Sequence, residues 1–308
     1  MKNRMLPLAL IIVLALCLAL AACTAEEGES PAAQGEELRV AIIDTGISTA
    51  AVSSDRILPG ENYILPGEDT EDRVGHGTAV SAIIVGSKDA RIAGICPEAK
   101  LVPLVTATKD ESGAPLQGDT AMAAKAIRAA VDVYGCRIIN ISSGAASSSW
   151  QLRNAVTYAQ EQGVLVISCA GNNQKTDPGA ICYPGGYDGV LCVGAANEDG
   201  SIASYSQQNG TVDLLALGSM RVATIKGTRI KASGTSYATA IVTGAAAQIW
   251  TKHPELTADE VRDILLEFTR AVNGWQVFNL EAALSWKAKE NAAFSLASPY
   301  SDKSMVTP

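Results

Sequence analysis

Three short segments of this 308-residue chain hold side chains that could act together on an acyl group: Val40-Ala-Ile-Ile-Asp-Thr-Gly46, Gly75-His-Gly-Thr78 and Gly234-Thr-Ser-Tyr-Ala238. A serine hydroxyl is a weak nucleophile at neutral pH. It needs an imidazole to take its proton and a buried carboxylate to hold that imidazole in the right tautomer. Ser236, His76 and Asp44 are the candidates. Each segment has a plainer reading alone: Asp-Thr-Gly is good turn material, and a serine before an apolar helical run caps a helix. A carboxylate closing an apolar strand is costly unless paired, however, and neither plain reading accounts for all three segments. Of the chain's two histidines, His253 precedes Pro254 in a polar connection and reads as a solvated loop residue, which leaves His76 for the base.

Chain order then separates the hydrolase folds. The α/β-hydrolases run Ser, Asp, His and the chymotrypsin type runs His, Asp, Ser, whereas this chain runs Asp, His, Ser, the order of subtilisin. Ala238 also occupies the place of the second glycine of a Gly-x-Ser-x-Gly elbow. On these motifs residues 38 to about 284 resemble the subtilisin-like serine peptidases, the subtilases. The resemblance implies an α/β fold of three layers, a mostly parallel sheet flanked by helices, and a serine endopeptidase working through an acyl-enzyme.

It also implies further site residues. Ser168-Cys-Ala-Gly-Asn172 is similar to the segment whose asparagine donates to the oxyanion, which gives Asn172 that role beside the backbone N–H of Ser236. The neighbouring Asn173 leaves open which of the two points inward. Ser142, Ser143 and Gly144 match the strand along which a peptide substrate lies extended. Ala170 and Gly171 would wall the pocket for the residue before the cut, with Cys182 at its floor. Relatives often have glycine there, so a cysteine implies a shallower pocket for small or medium apolar residues. Ala79, Tyr237 and Ala240 depart from the family pattern outside the triad positions. Many relatives bind calcium before the first strand and in a loop after the histidine helix. Here the stretch before Leu38 and the loop at 86–91 are short, and no Cys/His spacing suggests zinc, so no metal or cofactor is expected.

The elements that must position these residues are legible as alternating runs. Segments 38–43, 101–106, 137–141, 164–168 and 190–193 read as buried strands, and 120–134 and 150–162 as helices, the pattern of βαβ units with a parallel sheet. Asp44, Ser142 and Asn172 follow strands closely, where sites collect in open parallel sheets. The alanine-rich run 235–250 places Ser236 at a helix N-terminus, and Thr257-Ala-Asp-Glu260 is a capping box for a helix to about 269.

With 47% apolar residues the chain can bury a large core, read here as one domain at 38–287. The formal charge is −8, and removing residues 1–22 with Lys2 and Arg4 leaves 22 basic against 32 acidic side chains, or −10, which argues against nucleic acid as partner. Residues 1–22 have the basic start and apolar run of a secretory signal, closed by Leu20-Ala-Ala-Cys23. That closing resembles a bacterial lipobox, with Cys23 lipidated; the alternative is an uncleaved membrane anchor. Either way the domain is expected outside the cytoplasm, attached to a membrane, as a monomer. Residues 23–37 read as lipid site and flexible tether, too short for the folded pro-segment of many relatives, and 288–308 as a small-residue tail. Beyond Cys17 in the signal and Cys23, five cysteines remain, an odd number, read mainly as small buried thiols with a Cys182–Cys192 bridge as the alternative.

Two other functions remain beside the endopeptidase acting on peptides or proteins. One is a catalytically idle lipoprotein that keeps the fold for binding. The other is a dedicated peptidase that processes one leader or precursor.

Overall fold

Runs of branched apolar residues favour extended backbone, and a strand apolar on both faces has to be covered on both. In the computed structural model, Arg39–Asp44 (β1) sends Val40 and Ile42 into one core and Ala41 and Ile43 into another. The structure describes residues 37–287; the expected signal, Cys23, almost all of the tether and the tail from 288 lie outside the described residues.

The later strands are Glu61–Asn62 (β2), Lys100–Val105 (β3), Ala107–Lys109 (β4), Pro115–Gln117 (β5), Ile138–Ile141 (β6), Leu165–Cys169 (β7) and Leu191–Ala196 (β8). Then come Leu214–Leu217 (β9), Ser219–Ala223 (β10), Arg229–Ser233 (β11), Thr269–Val272 (β12) and Trp275–Phe278 (β13). Nine form one sheet in the order β12-β13-β9-β8-β7-β6-β1-β3-β2, parallel throughout except between β12 and β13. The pairs β4–β5 and β10–β11 are separate antiparallel ribbons.

Helices cover both faces. His76–Val85 (α1), Thr235–Lys252 (α4) and Ala258–Glu267 (α5) share the first core, and Thr120–Asp132 (α2) and Trp150–Glu161 (α3) the second; Leu280–Leu284 (α6) closes the domain. This is the expected three-layer α/β fold. Asp119 and Ser149 cap α2 and α3 through Met122 and Leu152, and both bonds of the Thr257–Glu260 capping box are present.

α4 is buried on nearly every side because its residues are small. Gly244 lets Ile95 pack against the helix, since a Cβ there would come within 2.8 Å of Ile95 Cβ. Near its end the fully buried Trp250 donates Nε1–H to Leu256 O at 2.7 Å while Arg137 lies 4.0 Å over its ring. Truncating such a side chain to alanine costs about 3–5 kcal/mol. His253, expected in solvent, instead packs edge-on against Trp286 at 4.8 Å, because α4 runs to Lys252 and brings it under the final segment.

Candidate active site

Asp44 is the last residue of β1 and is 2% exposed, so its carboxylate needs partners. It has them in the Thr45 N–H at 2.7 Å and in His76 Nδ1, 2.8 Å from Oδ1 and 2.9 Å from Oδ2. A carboxylate facing Nδ1 keeps a proton on that nitrogen and leaves Nε2 as the basic atom. The charge of Asp44 raises the His76 pKa above its ordinary value, helped by the hydrogen bond and by the charge of Asp72, while burial opposes the shift.

Two glycines make this closeness feasible. A Cβ on Gly77 would lie 2.2 Å from Gly46 O and 3.2 Å from Asp44 Cβ. One on Gly46, whose φ is +106°, would lie 2.5 Å from Thr70 O. Nothing larger fits at the crossing of β1 and α1.

Sequence reasoning passed over Asp72, which organises the approach to His76. This buried carboxylate accepts from the Val74 and Gly75 N–H groups at 2.8 Å each through Oδ1. Through Oδ2 it accepts from the Thr78 N–H at 2.9 Å and the Thr78 hydroxyl at 2.7 Å. The loop before α1 and its first turn are thus tied to one side chain. The sequence signal was weak: an acidic residue shortly before Gly-His-Gly.

Ser236 lies in the first turn of α4, where its N–H has no acceptor within the helix. Its hydroxyl donates to Ser142 O at 3.1 Å, and among the described residues no hydrogen bond joins it to His76. Tyr237, the next residue along the chain, places its ring 6.0 Å from that of His76. Beneath them runs a buried polar chain that the sequence did not announce. Thr243 Oγ1 donates to Asn140 Oδ1 at 2.9 Å, Asn140 Nδ2 donates to Ser142 Oγ at 3.0 Å, and Ser142 Oγ donates to Ser236 O at 3.4 Å.

Asn172 reaches the same turn. Its Oδ1 accepts the Thr235 N–H at 2.9 Å and the Thr235 hydroxyl at 3.1 Å. A backbone N–H can only donate, so the oxygen must face Thr235, which leaves the Nδ2 donor beside Gly234 with no hydrogen bond among the described residues. The backbone oxygen of Asn173 accepts from the Thr176 and Asp177 N–H groups in the following turn. Asn172 is therefore the neighbour that joins α4.

The strand β6 ends at Ile141, and 142–144 continues without a ladder until Ala145 pairs with Tyr183. Cys182 fills the space between this segment and Gly171. A Cβ on Gly144 would lie 2.3 Å from Cys182 Sγ, and one on Gly171 3.2 Å from Cys182 Cβ. Cys182 is a thiol in hydrogen-bond contact with Cys169 below it. The contact holds Cys182 below the ordinary thiol range and, with burial, pushes Cys169 well above it. Gly144, Gly171 and Cys182 thus meet at one place, with Ser142 and Ser143 leading into Gly144 and Ala170 into Gly171 along the chain. Among the described residues no group of three or more His, Cys, Asp or Glu side chains is arranged to hold a metal ion.

Comparison with known proteins agrees with the class this framework suggests, an α/β serine hydrolase. The Subtilase family profile matches residues 35–284, and the chain belongs to that family, whose members are serine endopeptidases. It is 32% identical over 257 residues to Subtilisin Savinase of Lederbergia lenta, covering 81% of this chain and 91% of that protein. An alkaline protease of Shouchella clausii is also 32% identical over 257 residues, but the chain spans only 64% of that protein. Among solved structures, the self-cleaved protease domain of PatA aligns with TM-score 0.67 at 27% identity, over 80% of this chain and 95% of that one. The prenylagaramide maturation protease PagA aligns with TM-score 0.68 at 26% identity, over 80% and 92%.

Proposed function

We propose that this serine endopeptidase works through Asp44, His76 and Ser236, outside the cytoplasm, on a membrane to which lipid on Cys23 holds it. The observation that carries the assignment is the grip of both Asp44 oxygens on His76 Nδ1, together with the place of Ser236 in the first turn of the helix that begins at Thr235. His76 Nε2 takes the proton as Ser236 Oγ turns from the Ser142 carbonyl and attacks the scissile carbon. Such a nucleophile–base bond is often loose without substrate and tightens with it.

Negative charge then develops on the carbonyl oxygen, where Asn172 Nδ2 and the Ser236 N–H donate. His76 returns its proton to the leaving amine. A water repeats the sequence and frees the acyl group. The acyl half of the peptide pairs with the open 142–144 backbone, and its last side chain meets Cys182, which favours small or medium apolar residues.

Fluorophosphonate labelling of the full-length chain tests the reading. Labelling should vanish in Ser236→Ala and His76→Ala. A folded wild-type chain that takes no label would favour the idle binding lipoprotein instead. Incorporation of labelled palmitate, lost in Cys23→Ala, tests the anchor; no incorporation would leave the uncleaved apolar segment as the attachment. A narrower role in processing one precursor has support from the likeness to a maturation protease. Turnover confined to a single surface or secreted substrate would establish it.

A further inference from the structure

The chain is acidic, yet no carboxylate occurs between Asp213 and Glu255. Within that span the β10–β11 ribbon carries Arg221, Lys226, Arg229 and Lys231, all exposed. Arg221 stands directly across the ladder from Lys231, and Arg229 lies two residues along on the same face. Like charges directly opposed in a sheet are destabilising. Among the described residues none of these four cations has an ion-pair partner. Asp89 lies against the ribbon at Gly227 in the turn, beyond the last rung of the ladder. A local conflict kept without compensation points to a ligand of opposite charge.

Position says which one. The ribbon packs against the approach to His76: Ser48 Oγ donates to Ile225 O at 2.9 Å, and Ile225 Cγ2 would lie 3.7 Å from a Cβ on Gly75. β11 ends at Ser233, three residues before Ser236. The groups assigned to the acyl half, 142–144, 170–172 and Cys182, belong to other segments. His76 hands its proton to the leaving amine, so the leaving half of the substrate departs past His76 and the ribbon beside it.

We propose that Arg221, Arg229 and Lys231 form a subsite for acidic residues on the leaving side of the scissile bond, so that the preferred substrates carry Asp or Glu shortly after the cut. This rests on the peptidase reading above. Anionic lipid headgroups would suit the same charges, but the ribbon's junction with the His76 turn favours a peptide in the site.

The test uses full-length chain and matched fluorogenic peptides with Glu-Glu, Gln-Gln or Lys-Lys after the cut. The Glu-Glu peptide should be cleaved with kcat/KM about threefold to tenfold above Gln-Gln, as a few exposed charge pairs allow. Raising salt from about 50 mM to about 500 mM should erase most of the difference. The paired change Arg221→Glu and Lys231→Glu should invert the order in favour of Lys-Lys. If that variant folds poorly, Arg221→Gln with Lys231→Gln should flatten it.

Fluorophosphonate labelling, which uses no leaving-side peptide, should keep its rate in all variants, and its loss in the wild type would count against the peptidase reading separately. An order of peptides that survives charge reversal overturns the subsite. So does reversal that abolishes binding to anionic vesicles while leaving peptide preference untouched.

Discussion

Oδ1 of Asn172 accepts both the backbone N–H and the side-chain hydroxyl of Thr235, at 2.9 and 3.1 Å. The residue next to Ser236 thereby fixes which end of the Asn172 amide is held by α4 and, in the proposed mechanism, which end is left for the reacting carbonyl. Asn172→Ala should lower kcat by about 10²–10³, the loss known for removing one such donor in subtilisin, with little change in KM. Thr235→Val keeps the N–H bond and loses the hydroxyl, so a smaller fall, about threefold to tenfold, is expected. Steady-state kinetics on one peptide checks both, and equal kinetics for Asn172→Ala and wild type would remove Asn172 from the mechanism.

Asp44 raises the affinity of His76 for a proton, and the proposed mechanism needs that imidazole neutral. Activity should therefore fall as pH drops through a value above the ordinary imidazole pKa of about 6.5. Asp44→Asn should shift that inflection to lower pH while kcat collapses, as a pH profile of kcat/KM would reveal. Stability carries the opposite signature. A pKa raised on folding adds stability that is complete below the unfolded value and is lost as pH rises through the folded one. His76→Ala should thus lower the melting temperature more at about pH 5 than at about pH 9.

Asp72 gathers four hydrogen bonds from the loop and first turn that carry His76. Asp72→Ala would strand buried donors and should cost about 2–4 kcal/mol of stability, measured by urea unfolding. Labelling of Ser236 should slow in the fraction that remains folded, because His76 loses its anchor. Wild-type stability and labelling together would show that the turn holds its shape without the carboxylate.

Cys182 packs so closely on Gly144 and Gly171 that its side chain occupies the space between them. Cys182→Gly should open that space and raise kcat/KM for Phe relative to Ala before the cut by about tenfold, since each added methylene accommodated is worth roughly 1–3 kcal/mol. An unchanged ratio in a peptide-library profile would mean that the pocket lies elsewhere.

The sequence by itself determined what depends on local pattern. Branched apolar runs ended at Asp44, Ile141 and Cys169 because a parallel strand buried on both faces stays apolar along its length. The capping box at Thr257 and the small-residue helix after Gly234 were legible for the same reason: the groups that decide them lie within one or two turns. The late strands β9 to β13 were not assigned, since they are short and several of their residues are exposed, so neither length nor alternation marks them.

Only the tertiary structure decided the contacts between distant segments. Thr243 on Asn140, Asn172 on Thr235 and Cys182 against Gly144 each need two elements to be docked before the contact has any meaning. His253 moved from solvent to Trp286 for that reason, and Asn172 was separated from Asn173 by the donor it met. Composition and spacing name the side chains able to do the chemistry. The burial and register of the folded sheet choose which atom of each one faces the substrate.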